Sequence, residues 1–243
     1  MSRLPLRIAT VGACVVLTLA ACGVIPSPPP PLDANFIPEV AAPTFDPAMA
    51  TSDGFTAEQR LAVRIRVQTC TGWATGSGWI LSDREVVTNR HVVEDGTSIQ
   101  VTTYDGRDFA VKSSQVAPVA DLALLTLDSV FTDAAEYEIT GMQPLDPITI
   151  VGYPSGEKLE VQEGHYLGAE VDGVGDTQQL VWSLRAHVEP GSSGSPVYNS
   201  EGKVVAVVYA GDEFQRSVAW PVVWLDRLLQ DPAQWEPNAN SCG

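Results

Sequence analysis

Three short segments of this chain carry residue types that together could activate a serine for nucleophilic attack. They are centred on His91, Asp121 and Ser193, and the last of these lies in the glycine-flanked turn Gly-Ser-Ser-Gly-Ser-Pro at residues 191–196. A serine hydroxyl becomes a good nucleophile when an imidazole takes its proton, and a carboxylate holds that imidazole in the required tautomer. The sequence thus offers one candidate for each part of an acyl-transfer site.

The contexts of these residues resemble those of trypsin-like serine proteases. The turn at 191–196 resembles the family's Gly-x-Ser-Gly-(Gly/Ser)-Pro turn, and Thr-Asn-Arg-His-Val-Val at 88–93, preceded by Gly-Ser-Gly at 76–78, resembles the histidine segment. Asp-Leu-Ala-Leu-Leu at 121–125 resembles the aspartate segment.

The resemblance implies a role for each residue. Ser193 would be the nucleophile, His91 the proton acceptor and Asp121 the group that orients His91, while the backbone amides of Gly191 and Ser193 would stabilise the oxyanion. Gly191 suits such a turn because glycine adopts backbone angles that other residues avoid. The implied reaction is hydrolysis of peptide bonds through an acyl-enzyme, with no cofactor.

Other hydrolase classes fit the sequence less well. An α/β-hydrolase presents serine, then acid, then histidine, with a Gly-x-Ser-x-Gly elbow; here the order is histidine, aspartate, serine, and residue 195 is serine. No His-x-x-x-His or Cys-x-x-Cys spacing suggests a metal site. The other two histidines, His165 and His187, lack a matching context.

The elements that must position these groups are predicted to be strands. Residues 55–59 form a helical turn, and six β-type segments then precede an irregular passage at 128–146, with six more after it. The predicted strands are 61–69, 73–81, 85–88, 98–103, 109–116 and 122–127, then 148–153, 159–171, 180–186, 196–198, 203–210 and 216–220. Such spacing argues for antiparallel barrels and against a sheet with helical crossovers.

We therefore expect an all-β fold of two six-stranded antiparallel β-barrels, the trypsin-like double barrel, with a C-terminal helix. The protease domain would span residues 51–243, with barrel one at about 60–128, barrel two at about 146–221 and the helix at about 222–230. In the trypsin-like fold the histidine and aspartate come from barrel one and the serine from barrel two, so the site lies in the cleft between them.

The first fifty residues are predicted to export and anchor this domain. Arg3 and Arg7 precede an uncharged run ending in Leu-Ala-Ala-Cys at 19–22, which resembles the lipobox of bacterial lipoproteins, although an ordinary secretory signal is the alternative. Residues 1–21 would be the signal peptide, Cys22 the acylated residue, and the proline-rich stretch 22–50 a tether. The expected location is therefore the outer side of a bacterial cell membrane.

Cysteine and charge supply two further expectations. Cys70 and Cys242 remain after export to an oxidising compartment, and a disulfide between them is the simplest interpretation. The net charge of −16 falls to −18 once Arg3 and Arg7 are removed with the signal, which disfavours binding to nucleic acid or anionic lipid. Membrane contact would thus depend on the lipid at Cys22, and we expect a monomer.

Departures from the family bear on activation and specificity. Position 192 is serine where trypsin has the acidic residue used in zymogen activation, which suggests a chain that folds directly into a competent form, as in bacterial HtrA-type proteases, here without room for a PDZ domain. The primary pocket is expected near His187 and Tyr209; it lacks an acid at its floor and favours small or apolar side chains.

Two rival functions remain open from the sequence. The chain could be a lipoprotein that keeps the protease fold as a catalytically silent peptide- or protein-binding module, or it could hydrolyse small esters with the same residues.

Overall fold

The computed structural model describes residues 53–175, 178–212 and 214–239, all within one compact unit of the chain, Asp46–Gly243. The predicted signal peptide, Cys22, the tether and Cys242 lie outside the described residues. No helix in the described ranges is long and apolar enough to cross a membrane.

Strands dominate the described part of the chain. Barrel one consists of β1 (Ala62–Thr69), β2 (Trp73–Ile80), β3 (Glu85–Asn89), β4 (Gly96–Thr103), β5 (Asp108–Ala117) and β6 (Leu122–Leu127). Barrel two consists of β7 (Pro147–Gly152), β8 (Glu160–Val171), β9 (Leu180–Arg185), β10 (Pro196–Tyr198), β11 (Val204–Gly211) and β12 (Arg216–Pro221), and a short β13 (Glu236–Pro237) follows. All pairings between these strands are antiparallel.

Barrel one closes because β5 pairs with two neighbours. Residues 108–110 pair with β4, and residues 111–117 pair with β6, with a register shift between Val111 and Ser113. Such an irregularity bends a strand and allows the sheet to curl. Alternation along β1 sets the two faces: Val63, Ile65 and Val67 are buried in the barrel, and the residues between them point outward.

Barrel two has the strand order β10-β11-β12-β9-β8-β7 and is closed. Its central strand β11 is buried from Val204 to Tyr209, on both faces, because one face lines the barrel and the other packs against other parts of the fold. The turn at 191–196 leads directly into β10, and Gly194 and Ser195 exchange backbone hydrogen bonds with Val208 of β11, so this barrel places the turn.

Three helices complete the described fold. α1 (Ala57–Leu61) begins at Thr56 with a capping box, in which the Thr56 hydroxyl accepts from the Gln59 amide and the Gln59 side chain accepts from the Thr56 amide. α2 (Arg90–Val93) follows β3 directly. α3 (Val223–Gln230) buries Leu225 and Leu228 against the core that the two barrels share.

The predicted double barrel with its C-terminal helix is confirmed, and the strand limits agree with the prediction to within two residues. The structure adds elements that the sequence did not suggest, namely α2, β13 beside β5, and 3₁₀ turns at Pro118–Ala120, Pro154–Gly156 and Pro232–Gln234. Three of these additions, α2 and the turns at Pro118–Ala120 and Pro154–Gly156, belong to the candidate site.

Candidate active site

His91 is presented to solvent by the short helix α2. Its neighbours Val92 and Val93 are buried in the core of barrel one, which turns the His91 side chain outward, with 44% of its surface exposed. The His91 ring nitrogen Nδ1 lies 2.7 Å from Asp121 Oδ2. Because a carboxylate only accepts hydrogen bonds, this contact places the proton on Nδ1 and leaves Nε2 as the acceptor.

Asp121 is bound to α2 and the residue before it by four hydrogen bonds. Its carboxylate accepts from the His91 amide at 3.0 Å as well as from the ring, and its carbonyl oxygen accepts from the Arg90 amide and from Asn89 Nδ2, each at 3.0 Å. Asp121 adopts left-handed backbone angles, φ 45° and ψ 38°, which are costly for a residue other than glycine. The preceding 3₁₀ turn, Pro118–Ala120, and the four hydrogen bonds stabilise Asp121 in this backbone conformation.

Three serines lie within residues 192–195, and their surroundings differ. Ser195 is fully buried, and its hydroxyl lies so close to Gly152 that a Cβ there would be 1.9 Å from Ser195 Oγ. Ser192 is 6% exposed, and its hydroxyl accepts from the Glu189 amide. Ser193 is the one that is partly open to solvent.

The serine turn docks onto barrel one through Ser77. The Ser77 amide donates to the Ser193 carbonyl at 2.7 Å, and the buried Ser77 hydroxyl donates to the Gly191 carbonyl at 2.8 Å. Gly194 has φ +90°, and a Cβ there would lie 2.0 Å from the Ser77 carbonyl oxygen, so no larger residue fits.

The same region brings Ser193 to the helix that carries His91. A Cβ on Gly76 would be 2.5 Å from a Val92 side-chain carbon and 3.2 Å from the Ser193 carbonyl oxygen. Only the backbone of Gly76 therefore lies between α2 and the serine turn, with no room for a side chain. The three predicted groups converge on this point, one pair from barrel one and Ser193 from barrel two.

Two backbone amides of the turn are left free to bind an oxyanion. The carbonyl of Pro190 accepts from the Ser155 amide at 2.6 Å, and the carbonyl of Ser192 accepts from the Ser195 amide at 3.0 Å. In a trans peptide the N–H points opposite to the carbonyl, so the amides of Gly191 and Ser193 point away from these contacts. Within the described residues neither amide has an acceptor.

The Ser155 contact comes from the turn at Pro154–Gly156, which packs against the serine turn. Gly191 has φ +98°, and a Cβ there would be 2.7 Å from the Ser155 nitrogen. Arg64 of barrel one holds this turn by donating to the carbonyl of Gly156 at 3.3 Å and by lying over the Tyr153 ring. Sequence reasoning did not find Ser155, whose contact joins backbone atoms, or Arg64, whose side chain bonds to a backbone carbonyl far away in the sequence.

The Ser193 hydroxyl donates to the carbonyl oxygen of Tyr209 at 3.4 Å. In the described part of the chain no hydrogen bond joins it to His91. Free enzymes often show long or poorly aligned catalytic hydrogen bonds that tighten when substrate binds, so the lack of this bond is compatible with a catalytic pair.

Tyr209, one of the two expected pocket residues, presents its backbone to the site and buries its side chain. Its hydroxyl donates to Asp172 Oδ1 at 2.6 Å, and its ring packs against Trp220. Burial, reinforced by this bond to a carboxylate, raises the pKa of the Tyr209 hydroxyl well above its usual value. The bond between Tyr209 and Asp172 thus ties the connection that follows β8 to β11.

His187, the other expected pocket residue, is about half exposed and lies 3.3 Å from Glu189 through Nε2. The neighbouring Val188 is the residue that meets β11: a Cβ on Gly211 would lie 2.2 Å from Val188 Cγ2. Val188 therefore fills the space beside Gly211, where the primary pocket is expected.

The other predicted sites cannot be placed. Cys22 and Cys242 lie outside the described residues, so lipidation and the Cys70–Cys242 pair stay predictions. Among the residues described, no group of three or more histidine, cysteine or acidic side chains is arranged to hold a metal ion.

Comparison with known proteins relates this chain to proteases. Residues 76–207 match the family model described as trypsin-like peptidase domain. The chain is 32% identical over 181 residues to Protease Do-like 2 of Arabidopsis thaliana chloroplasts, covering 70% of this chain and 29% of that protein. It is 29% identical over 184 residues to Serine protease Rv3671c of Mycobacterium tuberculosis, covering 70% and 44% respectively. The chain thus spans between about a quarter and a half of the length of these relatives.

Solved structures show the same fold. The active form of the Rv3671c protease aligns with a TM-score of 0.65 at 22% identity, over 76% of this chain and 85% of that one. An HtrA-type protease, AlgW with a tripeptide, aligns with a TM-score of 0.66 at 20% identity, over 71% and 60%. With a family match that spans more than half of its residues and includes both His91 and Ser193, the chain belongs to the trypsin-like peptidases.

Proposed function

We propose that this chain is a serine endopeptidase of the HtrA-like type that cleaves peptide bonds through an acyl-enzyme. The observation that carries the proposal is the convergence, beside Gly76, of the His91–Asp121 pair with a partly open serine whose turn leaves two amides free. In this proposal Ser193 attacks the scissile carbonyl, His91 Nε2 takes its proton and later delivers it to the leaving amine, and Asp121 stabilises the imidazolium.

The free amides of Gly191 and Ser193 would receive the oxygen that becomes negative in the tetrahedral intermediate. Such preorganised donors lower the barrier because they need not reorient as charge develops. The Ser155 and Ser77 contacts support this role, since they fix the peptide planes on either side of Gly191.

Val188 supports a preference for small apolar side chains before the cleaved bond. Its methyl group lies against Gly211, which leaves little depth for a long or aromatic side chain. A matched substrate series with Ala, Val, Phe or Arg at this position should be cleaved fastest at Ala and Val. Val188→Ala should raise the relative rate at Phe, and an unchanged order of rates in that variant would contradict the assignment.

A fluorophosphonate probe tests whether Ser193 is activated. We expect labelling of the full chain at neutral pH, lost in Ser193→Ala and strongly reduced in His91→Ala. Ser195→Ala is the matched control, because this buried serine should not react. The absence of labelling in the native protein would favour the rival function of a catalytically silent peptide-binding module, which the present bond from Ser193 to Tyr209 also suits.

We also propose that the chain is exported and carried on the outer face of a bacterial membrane by a lipid at Cys22. The support is the sequence pattern of residues 1–22 alone. Intact-mass measurement after expression in a bacterial host should show an acylated Cys22. The Cys22→Ala variant should no longer be found in the membrane fraction of the cells. Peptide mapping without reductant should find Cys70 joined to Cys242.

A further inference from the structure

A cavity of about 440 Å³ opens on the outward face of barrel one, beside the turn that supports the oxyanion amides. Its walls are formed by Arg66, Trp73, Thr75, Gln100, Ser155 and Gly156. None of these side chains has a part in the chemistry proposed above. Trp73 is 72% exposed, an unusual position for the largest apolar side chain, and it forms one wall.

The strand register places the polar groups of this cavity in a row. Arg66 of β1 pairs with Gln100 of β4 on one side and with Thr75 of β2 on the other. Directly paired residues of antiparallel strands project to the same face of the sheet. Since Ile65 and Val67 are buried on the inner face, the Arg66 guanidinium lies on the outer one.

Arg66 differs from its neighbour on that face, Arg64. The Arg64 guanidinium already has hydrogen-bond partners, because it donates to the carbonyl oxygens of Gly156 and Glu157. Arg66 is exposed and has no ion pair or hydrogen bond from its side chain to another described residue. In a chain with 30 acidic and 14 basic residues, this leaves a cation available beside the site.

The cavity is connected to Ser193 by the outward face of β2. The outward face of β2 runs from Ser77, which binds the Ser193 carbonyl, through Thr75 to Trp73, a distance of about 13 Å at roughly 3.3 Å per residue. Ser193 contacts β2 and β11 through different atoms, because its carbonyl oxygen accepts from Ser77 and its hydroxyl donates to Tyr209. The proposed function assigns the end of β11, with Val188 against Gly211, to the residue before the cleaved bond, and we assign the β2 side to the residues after it. An extended substrate would therefore bring its second or third residue after that bond to the cavity.

We propose that the Arg66–Trp73 cavity binds an acidic side chain of the substrate, two or three residues after the cleaved bond; this assignment rests on the proposed peptidase function. A guanidinium accepts a carboxylate in a two-pronged contact, and the Gln100 amide adds a further donor. The Trp73 ring covers the methylene groups of a glutamate. The enzyme would thus select for acidic residues on the leaving side of its substrates.

The experiment compares three peptides that are identical up to the cleaved bond and carry Glu, Gln or Lys at the second and third positions after it. We expect kcat/KM for the Glu peptide to exceed that for Gln by about threefold to fivefold, the gain typical of an exposed ion pair, with Lys slowest. Arg66→Gln should remove the difference between Glu and Gln, and Arg66→Glu should make Lys the preferred residue. Arg185→Gln, which removes an exposed arginine of barrel two, should keep the order of the native enzyme.

A p-nitrophenyl ester, which has no residues after its cleaved bond, separates the two proposals. Ester hydrolysis together with equal rates for Glu, Gln and Lys peptides would overturn the acidic subsite and leave the serine hydrolase intact. A Glu preference that survives Arg66→Glu would also overturn it. If neither the ester nor any peptide is cleaved, the peptidase proposal fails, and the subsite that rests on it fails as well.

Discussion

The backbone amide of Ser77 donates to the carbonyl oxygen of Ser193 across 2.7 Å, which joins the two barrels at the proposed nucleophile. The side chain of Ser77 extends the same joint, since its hydroxyl donates to Gly191 and accepts from the amide of Tyr153. One small buried residue of barrel one thus contacts both the serine turn and the turn that supports it.

Ser77→Ala tests this joint. The substitution leaves the Tyr153 amide and the Gly191 carbonyl without their buried partner, which should cost about 1 to 3 kcal/mol in the free energy of unfolding. We also expect a lower kcat, because the peptide plane at Gly191 loses one restraint. Denaturant titration and steady-state kinetics measure the two effects, and Ser82→Ala, at a partly exposed serine, serves as the control.

Asp121→Asn should reduce kcat by about 10⁴-fold while the fold is retained. An amide at this position can donate its N–H to His91 Nδ1, which would stabilise the tautomer with the proton on Nε2, where it cannot accept from Ser193. Kinetics with the ester and far-ultraviolet circular dichroism check the two parts. A folded variant with nearly native activity would exclude Asp121 as the orienting group.

Gly191→Ala should remove most of the activity. The new methyl group would lie 2.7 Å from the Ser155 nitrogen, and the backbone at φ +98° is unfavourable for alanine. Displacement of this turn would move the Gly191 amide away from its proposed position as an oxyanion donor. The loss of one such donor typically lowers kcat by about 100-fold to 1000-fold.

Gly106→Ala is the matched control for that variant. Gly106 has φ +81° with no atom near its would-be Cβ, so it should lose about 1 kcal/mol of stability from backbone strain and keep its activity. Equal losses of activity in the two variants would show that the position of Gly191 has no special importance.

Tyr209→Phe removes the hydroxyl that ties Asp172 to β11. Asp172 is 4% exposed, so the lost bond should destabilise the chain by about 1 to 2 kcal/mol. Amide hydrogen exchange should accelerate in the ends of β8 and β9 more than in barrel one. A uniform increase across both barrels would indicate general destabilisation without a specific link to this hairpin.

Alkaline pH should destabilise the fold through its buried tyrosines. Burial raises the pKa of Tyr153 to about 12 from the usual 10.0, despite the opposing charge of Arg64, and the pKa of Tyr209 is raised in the same direction. Because the unfolded chain ionises first, the stabilisation is complete below pH 10 and decreases as the pH rises toward 12. Tyrosinate absorbance followed with the unfolding free energy checks this, and Tyr153→Phe should flatten the dependence.

The sequence was sufficient for the double barrel because strand alternation such as that of Val63, Ile65 and Val67 and the turn residues between segments are local signals. The helix that carries His91 was missed, since four residues are too few for a helical period. The orientation of Tyr209 could not be predicted, because the run from Val204 is apolar on both faces of its strand and the sequence does not say which face each side chain takes. The bond from the Ser155 amide to Pro190 joins backbone atoms and leaves no signature in residue types.

Because the contacts made by Ser77 join the two barrels without a covalent bond, they bear on whether fragments of the chain can reassemble. His91 and Asp121 belong to one barrel and Ser193 to the other, and the connecting chain passes through exposed residues at 132–134. Cleavage of the chain there would yield two fragments, one with His91 and Asp121 and the other with Ser193. Hydrolysis would then appear only when the halves find each other again, so that turnover would report complementation between fragments.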